Sequence, residues 1–169
     1  MILADVNVLL YAFRDDSVDH GRYRAWLDST INADGAYGIS PQVLCTLVRT
    51  ATHPRIFAHP SRIEDALAFA RVLLEQPNAT RIEPGERHWT IFEALCRDTG
   101  ATGNLAQDAW FAALAIESAC EWITTDRDFA RFQGLSCRRP WLAKAPHPLP
   151  EQEREALRGP ARGSGRGPE

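Results

Sequence analysis

Short apolar runs alternate with longer amphipathic segments along residues 1–142 of the chain. Residues 1–5 are apolar and have the length of a buried strand, and the further strand-like segments are residues 36–39, 80–83 and 121–124, with residues 135–138 as the candidate for a fifth strand. The segments with the apolar spacing of helices are residues 19–30, 41–52, 62–76, 85–99 and 105–119. This alternation predicts an α/β fold of three layers, α/β/α, with helices on both faces of a central parallel sheet of four to five strands.

Several helix boundaries are indicated by residues that cap or break helices. Ser40 followed by Pro41 is typical of a helix start, because the serine side chain caps the first turn and proline tolerates the first helical position. Ser61 and Glu64 have the spacing of a capping box, and Gly100 is placed to end a helix. We therefore expect well-defined helix ends at these positions.

The chain divides into a patterned part and a tail. Residues 1–142 contain no linker, so we expect one domain over that range. Prolines and glycines dominate residues 143–169, which we expect to be disordered. This tail has five cations and four glutamates, so the total net charge of −3 leaves −4 on residues 1–142.

Composition removes several classes of protein. Of the 19 basic residues all but Lys144 are arginine, and the net negative charge argues against strong nonspecific binding to nucleic acid. No apolar run approaches the roughly 18 residues of a membrane helix, and no export signal precedes the first strand, so we expect a cytoplasmic protein. The cysteines are scattered singly, which argues against a structural zinc site and favours buried free thiols at Cys45, Cys96 and Cys120.

Three aspartates stand in apolar surroundings. Asp5 closes the first strand, Asp126 follows the fourth strand, and Asp108 lies in a helix that is apolar on nearly every side. Ligands of open parallel sheets bind outside the carboxyl ends of the strands, where Asp5 and Asp126 should both lie. Asp108 joins them only if the loop before its helix brings it to that edge. Carboxylates that meet in this way need a counter-charge, and Mg²⁺ or Mn²⁺ prefers such oxygen ligands.

Each acid also has a simpler interpretation. Asp126 or Asp128 is placed to cap a short helix over residues 129–132. Asp5 could hydrogen-bond a neighbouring loop, and Asp108 could pair with a buried arginine. Taken without the fold, three separate aspartates are a weak signal, so these alternatives stay open at this point.

The same residues carry a resemblance to a known family. The matching stretches are residues 5–13 (DVNVLLYAF), 52–57 (THPRIF), 83–85 (EPG) with 88–89 (HW), 103–104 (GN) with 108–109 (DA) and 112–117 (AALAIE), and 125–129 (TDRDF). In them the chain resembles PIN-domain proteins, specifically the VapC ribonuclease toxins of VapBC toxin–antitoxin pairs. Each motif is short, but their order along residues 1–142 is specific.

The resemblance implies a PIN-like domain whose acidic pocket binds Mg²⁺, or Mn²⁺, and hydrolyses RNA with a metal-activated water, leaving 5′-phosphate and 3′-hydroxyl ends. It also implies a type II toxin with a cognate VapB-like antitoxin as partner, and a homodimer. The residues that match the family's catalytic and metal-binding acids are Asp5, Asp108, Asp126 and the auxiliary Asp128, and those that match its pocket-lining polar residues are Asn7 and Asn104.

One departure concerns the helix after the second strand. Most PIN nucleases carry a glutamate there, three residues before an arginine, and the corresponding residue is Thr46, before Arg49. With one carboxylate fewer, a second bound metal is less secure. Gln42, Thr46, Arg49, Thr50 and His53 form a polar stripe at helical spacing. Our hypothesis is that Thr46 lines the pocket and that Arg49 and His53 contact RNA; the alternative is an ordinary solvated face.

Competing enzyme classes lack essential residues. Residues 5–9 are close to the DxDx[TV] motif of haloacid-dehalogenase-type phosphatases, but Asn7 replaces the second aspartate and Leu9 the last position. That chemistry and response-receiver domains both need a lysine, and Lys144 lies at the edge of the tail. No GxxxxGK[ST] loop is present, which excludes a P-loop enzyme. The remaining alternative is a degenerate PIN domain that binds RNA or a protein partner without cleavage.

Overall fold

A computed structural model of the chain describes residues 1–141, and the predicted tail lies outside the described residues. The strands are β1 (Ile2–Ala4), β2 (Tyr37–Ile39), β3 (Ala79–Arg81), β4 (Glu121–Ile123) and β5 (Cys137–Arg138). The helices are α1 (Val6–Phe13), α2 (His20–Ile31), α3 (Pro41–Ala51), α4 (Ile63–Leu74), α5 (His88–Thr99) and α6 (Asn104–Glu117), with a 3₁₀ helix at Arg127–Arg131. Each predicted strand is present, shifted at most by a few residues.

The five strands form one parallel sheet in the order β3-β2-β1-β4-β5. Leu3 in β1 pairs with Gly38 on one side, and Ala4 pairs with Ile123 in β4 on the other. The helices that flank this sheet pack in two groups, α1 with α2 and α3 and α3 with α4 in one, and α5 with α6 in the other, so the predicted three-layer fold is confirmed. Because the strand order reverses between β1 and β4, their carboxyl ends form the switch point where open sheets bind ligands.

The helix ends follow the sequence signals in two cases out of three. Ser40 caps α3 by accepting a hydrogen bond from the amide of the second helical residue, and Gly100 ends α5 with a φ of +61°. The capping box predicted for α4 is wrong. That helix begins after Arg62 with no side-chain cap, because the Ser61 hydroxyl instead accepts a hydrogen bond from Arg14 at 3.0 Å.

Arg14 fixes the loop between α3 and α4. Its side chain is only 5% exposed and forms an ion pair with Asp16. It donates to the Ser61 hydroxyl and to the His59 carbonyl at 3.2 Å, and its guanidinium lies 3.7 Å from the centre of the Phe57 ring. One buried cation therefore holds the end of the THPRIF stretch at Phe57 and the loop that follows it.

The loop that contains the EPG and HW stretches is bound to Glu117, the last residue of α6. The Glu117 carboxylate accepts hydrogen bonds from the amides of Gly85 at 2.7 Å and Arg87 at 2.8 Å. Burial raises the pKa of Glu117, but these bonds outweigh it and the net shift is downward. A Cβ on Gly85 would lie 2.7 Å from the carboxylate. His88 is buried, with its ring 3.0 Å from the Trp110 carbonyl.

Buried residues of the strands and of all six helices form one hydrophobic core, and α6 contributes the longest buried run to it. Ala109 and residues 111–115 are buried, as predicted for a helix that is apolar on nearly every side. The Phe111 ring stacks on the fully buried Trp122 of β4 at 5.9 Å. This packing fixes the height of α6 against the sheet and thereby the position of the acid near its first turn.

Two other expectations from composition have different outcomes. Cys120 is buried and Cys96 is half-buried, but Cys45 is exposed because it lies on the outer side of α3, so its predicted burial is wrong. Within residues 1–141 no helix has both the length and the apolar character needed to cross a bilayer.

Candidate active site

Asp5 lies at the junction of β1 and β4. It directly follows β1, precedes α1 and is 5% exposed. Its amide donates to the Ile123 carbonyl at 2.9 Å, so the carboxyl ends of the two strands are joined at this residue. One carboxylate oxygen accepts hydrogen bonds from Asn7 Nδ2 at 2.7 Å and from Thr124 Oγ1 at 2.6 Å. Asn7, expected only as a pocket-lining residue, therefore contacts the Asp5 carboxylate directly.

Thr124 connects two of the predicted acids. Its hydroxyl donates to Asp5 and accepts the amide of Asp126 at 3.0 Å, and the side chain is buried. Asn7 Nδ2 also lies 3.3 Å from the same hydroxyl. Sequence reasoning did not assign Thr124 to the site. The signal was a hydroxyl residue at the end of an otherwise apolar strand, two residues before an acid.

Electrostatics brings Asp108 into the same cluster. Burial first, and then the negative charges of Asp5, Asp126 and Asp128, together raise the pKa of Asp108 from the usual 3.8 to about 7. The pKa of Asp5 is likewise raised to about 7, because burial and the charge of Asp126 outweigh the hydrogen bonds that the carboxylate accepts, that from Thr124 above all. Four carboxyl groups therefore share one field at this edge of the sheet.

The two acids after β4 have structural roles as well. Asp126 caps the 3₁₀ helix, because its Oδ1 accepts the amide of Asp128 at 2.9 Å. The simpler interpretation of Asp126 is thus confirmed, although its charge still acts on Asp5. Asp128 is not the cap and pairs with Arg131 at 3.6 Å. Within residues 1–141 no arginine forms an ion pair with Asp108.

The donor set of this edge fits a hard divalent cation. As arranged, no three acidic, histidine or cysteine side chains among residues 1–141 are close enough to hold a metal ion, so binding requires the carboxylates to draw together. Asn7 Oδ1 is buried and has no hydrogen-bond partner in the described part of the chain. A buried oxygen without a partner costs free energy, and Mg²⁺ prefers oxygen ligands. Asp5, Asp108 and Asn7 therefore offer suitable ligands beside Asp126.

The polar stripe on α3 reaches α6 beside Asp108. Gln42 Oε1 accepts a hydrogen bond from Trp110 Nε1 at 2.5 Å, and Thr46 Oγ1 accepts one from Gln107 Nε2 at 3.3 Å. Gln107 directly precedes Asp108. Thr46, which stands where most PIN nucleases have a glutamate, therefore contacts the segment that carries the acid.

The rest of the stripe does not form one continuous surface. Arg49 is exposed and lies about one turn beyond Thr46, where α3 contacts α6. Thr50 is fully buried, so it interrupts the polar surface. His53 Nδ1 accepts the amide of Arg55 at 3.0 Å, so this imidazole shapes the turn after α3. Asn104 is the first residue of α6, one turn before the aspartate of that helix.

The fold and the acidic edge define the class of protein. The sequence matches the family model of the PIN domain over residues 2–135. The chain therefore belongs to the PIN-domain family.

Characterised relatives narrow the comparison further. A VapC ribonuclease of Mycobacterium bovis is 42% identical over 140 residues, which cover 83% of this chain and 95% of the relative. Ribonuclease VapC25 of Mycobacterium tuberculosis is 39% identical over 140 residues, which cover 83% of this chain and 99% of the relative. The chain thus resembles VapC ribonucleases over nearly their whole length.

Solved structures agree on the fold. VapBC2 of Rickettsia felis, bound to a DNA fragment from its promoter, superposes with a TM-score of 0.60 at 19% identity, covering 82% of this chain and 98% of that one. The Mycobacterium tuberculosis toxin VapC20, described as cleaving the sarcin–ricin loop, superposes with a TM-score of 0.54 at 16% identity, covering 77% and 93%. At these identities the likeness concerns the fold alone.

Proposed function

We propose that this protein is a metal-dependent endoribonuclease, the toxin of a type II toxin–antitoxin pair. The observation that carries the proposal is the cluster of Asp5, Asp108 and Asp126 at the switch point of a PIN domain that is 42% identical to a VapC ribonuclease. The reaction is hydrolysis of RNA phosphodiester bonds, with Mg²⁺, or Mn²⁺ in its place, as the cofactor.

In this proposal the chain's own residues hold and orient the reacting groups. Asp5 and Asp108 would bind the cation, with Asp126 as a direct or water-linked ligand and Asp128 as an auxiliary charge. A divalent cation at this edge supplies a nucleophilic water and neutralises the phosphate. Thr124 fixes the Asp5 carboxylate, because its hydroxyl donates to one oxygen at 2.6 Å. The products would carry 5′-phosphate and 3′-hydroxyl ends.

The surroundings of the acids have supporting roles in the proposal. Asn7, Thr46 and Asn104 would line the pocket, and Thr46 supplies a hydroxyl where a fourth carboxylate is usual. That difference favours one tightly bound metal over two. Arg49 and His53 remain candidates for RNA contact, and Arg49→Ala should weaken RNA binding or cleavage if that hypothesis holds.

A protein partner follows from the same proposal. A VapB-like antitoxin should be encoded beside this chain and inhibit it, and we expect a homodimer as the oligomeric state. A cytoplasmic site of action belongs to the proposal as well, because both RNA and a freshly made antitoxin are found there. Co-expression of the neighbouring reading frame should abolish the growth arrest that the chain causes alone.

The second candidate is a degenerate PIN domain that binds RNA or a partner without cleaving. It is favoured by the absence of a ready-made metal cluster within residues 1–141 and by Thr46 in place of a carboxylate. Incubating labelled structured RNAs with the chain and Mg²⁺ separates the two. The nuclease proposal expects cleavage that EDTA abolishes and that Mg²⁺ restores; intact RNA under all conditions supports the degenerate domain.

A further inference from the structure

The chain leaves the sheet beside the acidic edge. β5 runs parallel to β4, and the amide of Thr124 donates to the Arg138 carbonyl at 2.9 Å. Thr124 is the residue whose hydroxyl binds Asp5. Arg139, the residue after β5, is therefore adjacent to the loop that carries Asp126.

The segment after β5 is anchored on α2. The Trp141 ring meets the ring of buried Tyr23 edge-on at 4.6 Å, and the Arg22 guanidinium lies 4.5 Å from the centre of the Trp141 ring. Burial and the charge of Asp19 raise the pKa of Tyr23 to about 12, and the charges of Arg139 and Arg22 oppose this. The side chains of Trp141, Arg22 and Arg139 therefore lie around Tyr23, next to the loop after β4.

Arg22 and Arg139 differ from neighbouring arginines because no carboxylate of residues 1–141 forms an ion pair with them. Among residues 1–141, Arg24 pairs with Asp28 and Arg138 pairs with Glu121, but neither Arg22 nor Arg139 forms an ion pair. The charges of both arginines act on Tyr23, where the carboxylate of Asp19 opposes them. The segment after residue 135 also lies outside the matched PIN domain.

We propose that Arg22, which lies against the Trp141 ring, and Arg139, which follows β5, form a phosphate-binding rim for the RNA strand that enters the acidic site. The inference rests on the proposed function and adds the place where the substrate backbone is bound. An acidic centre repels RNA, so cations at its margin must hold the strand before hydrolysis. Two forked guanidinium groups, one steadied on an aromatic face, suit the geometry of phosphate oxygens.

The experiment measures binding of a single-stranded RNA oligonucleotide to full-length chain carrying Asp5→Asn, which keeps the RNA intact. Arg22→Gln and Arg139→Gln are each compared with the control Arg24→Gln, which makes the same charge change on the exposed side of α2. Affinity is measured from 50 to 300 mM KCl. Each rim variant should weaken binding about fivefold at 100 mM and reduce the slope of log Kd against log [KCl] by about 0.7.

The conservative variant Arg22→Lys separates charge from packing. It should retain the salt slope of the parent, because the charge remains, and each variant's thermal unfolding should match that of the parent. The proposed rim would be contradicted if Arg22→Gln and Arg139→Gln bound RNA with the same affinity and the same slope of log Kd against log [KCl] as Arg24→Gln. A different result contradicts the proposed function itself: the Asp5→Asn parent does not bind RNA, and the wild-type chain does not cleave it.

Discussion

Replacing Asp5 by asparagine should stabilise the metal-free protein while destroying its activity. The hydrogen bonds that Thr124 and Asn7 donate go to the same carboxylate oxygen, and the Val6 amide makes a weaker interaction with the carboxylate. An asparagine oxygen can accept both side-chain bonds, so the substitution removes the buried charge and keeps these two contacts. The two proteins then differ in stability by the free energy of ionising the buried Asp5 carboxyl group, which only wild type has to supply.

The size of the effect follows from the pKa of Asp5. Unfolded Asp5 ionises near 3.8, whereas the folded side chain keeps its proton to about pH 7. The folded state therefore binds more protons between these values, and its stability falls as pH rises through this window. At about 1.36 kcal/mol per pH unit, Asp5→Asn should be more stable than wild type by about 1.5 kcal/mol at pH 5 and about 4 kcal/mol at pH 8.

Urea unfolding at 25 °C in EDTA, followed by tryptophan fluorescence from pH 5 to 8, measures this difference. Asp34→Asn is the matched control, because Asp34 is exposed and precedes β2 at the opposite edge of the sheet. Its effect should stay within about 0.5 kcal/mol at every pH. Saturating Mg²⁺ should narrow the gap for Asp5→Asn, since only wild type gains from the ion. A gap that is absent at pH 8, or constant across pH, would refute the reasoning.

Three further substitutions test the rest of the structure. Thr124→Val should lower the RNA cleavage rate about 10- to 100-fold in single-turnover assays, because it frees the metal-binding carboxylate; an unchanged rate would remove Thr124 from the site. Gly85→Ala should cost about 1–2 kcal/mol in urea unfolding by displacing Glu117 from two amides, whereas Gly35→Ala, with nothing within 4 Å, should not; equal effects would contradict the contact. Arg14→Ala should cost about 2–3 kcal/mol and expose the loop after α3 to proteolysis, and unchanged protease resistance would count against its role.

The fold was largely predictable because its signals are local. Segments as short as three residues still stood out as strands, but the strand order β3-β2-β1-β4-β5 was not predicted, because it depends on pairing between distant segments. The failed prediction at Ser61 has a tertiary cause, because a buried arginine 47 positions away takes the hydroxyl that the local pattern assigned to a cap. The exposure of Cys45 depends likewise on which side of α3 faces its neighbours.

The sequence predicted which acids belong to the site, but it did not predict the contacts that hold them. Asp5, Asp108 and Asp126 are recognisable because each is a carboxylate in an apolar setting. Thr124 was missed because its role depends on a contact with a residue 119 positions away, which no local pattern encodes. The basic rim was missed for the same reason, since Arg22 meets Trp141 only in the folded chain.

The central claim is that the three aspartates together hold the catalytic cation. Titration of Mn²⁺ into the full-length protein, followed by electron paramagnetic resonance, tests it most directly. Wild type and Asp34→Asn should bind Mn²⁺ with the same affinity and stoichiometry, whereas Asp5→Asn and Asp108→Asn should each lose that binding together with RNA cleavage. Unchanged Mn²⁺ binding in Asp5→Asn and Asp108→Asn would contradict the account.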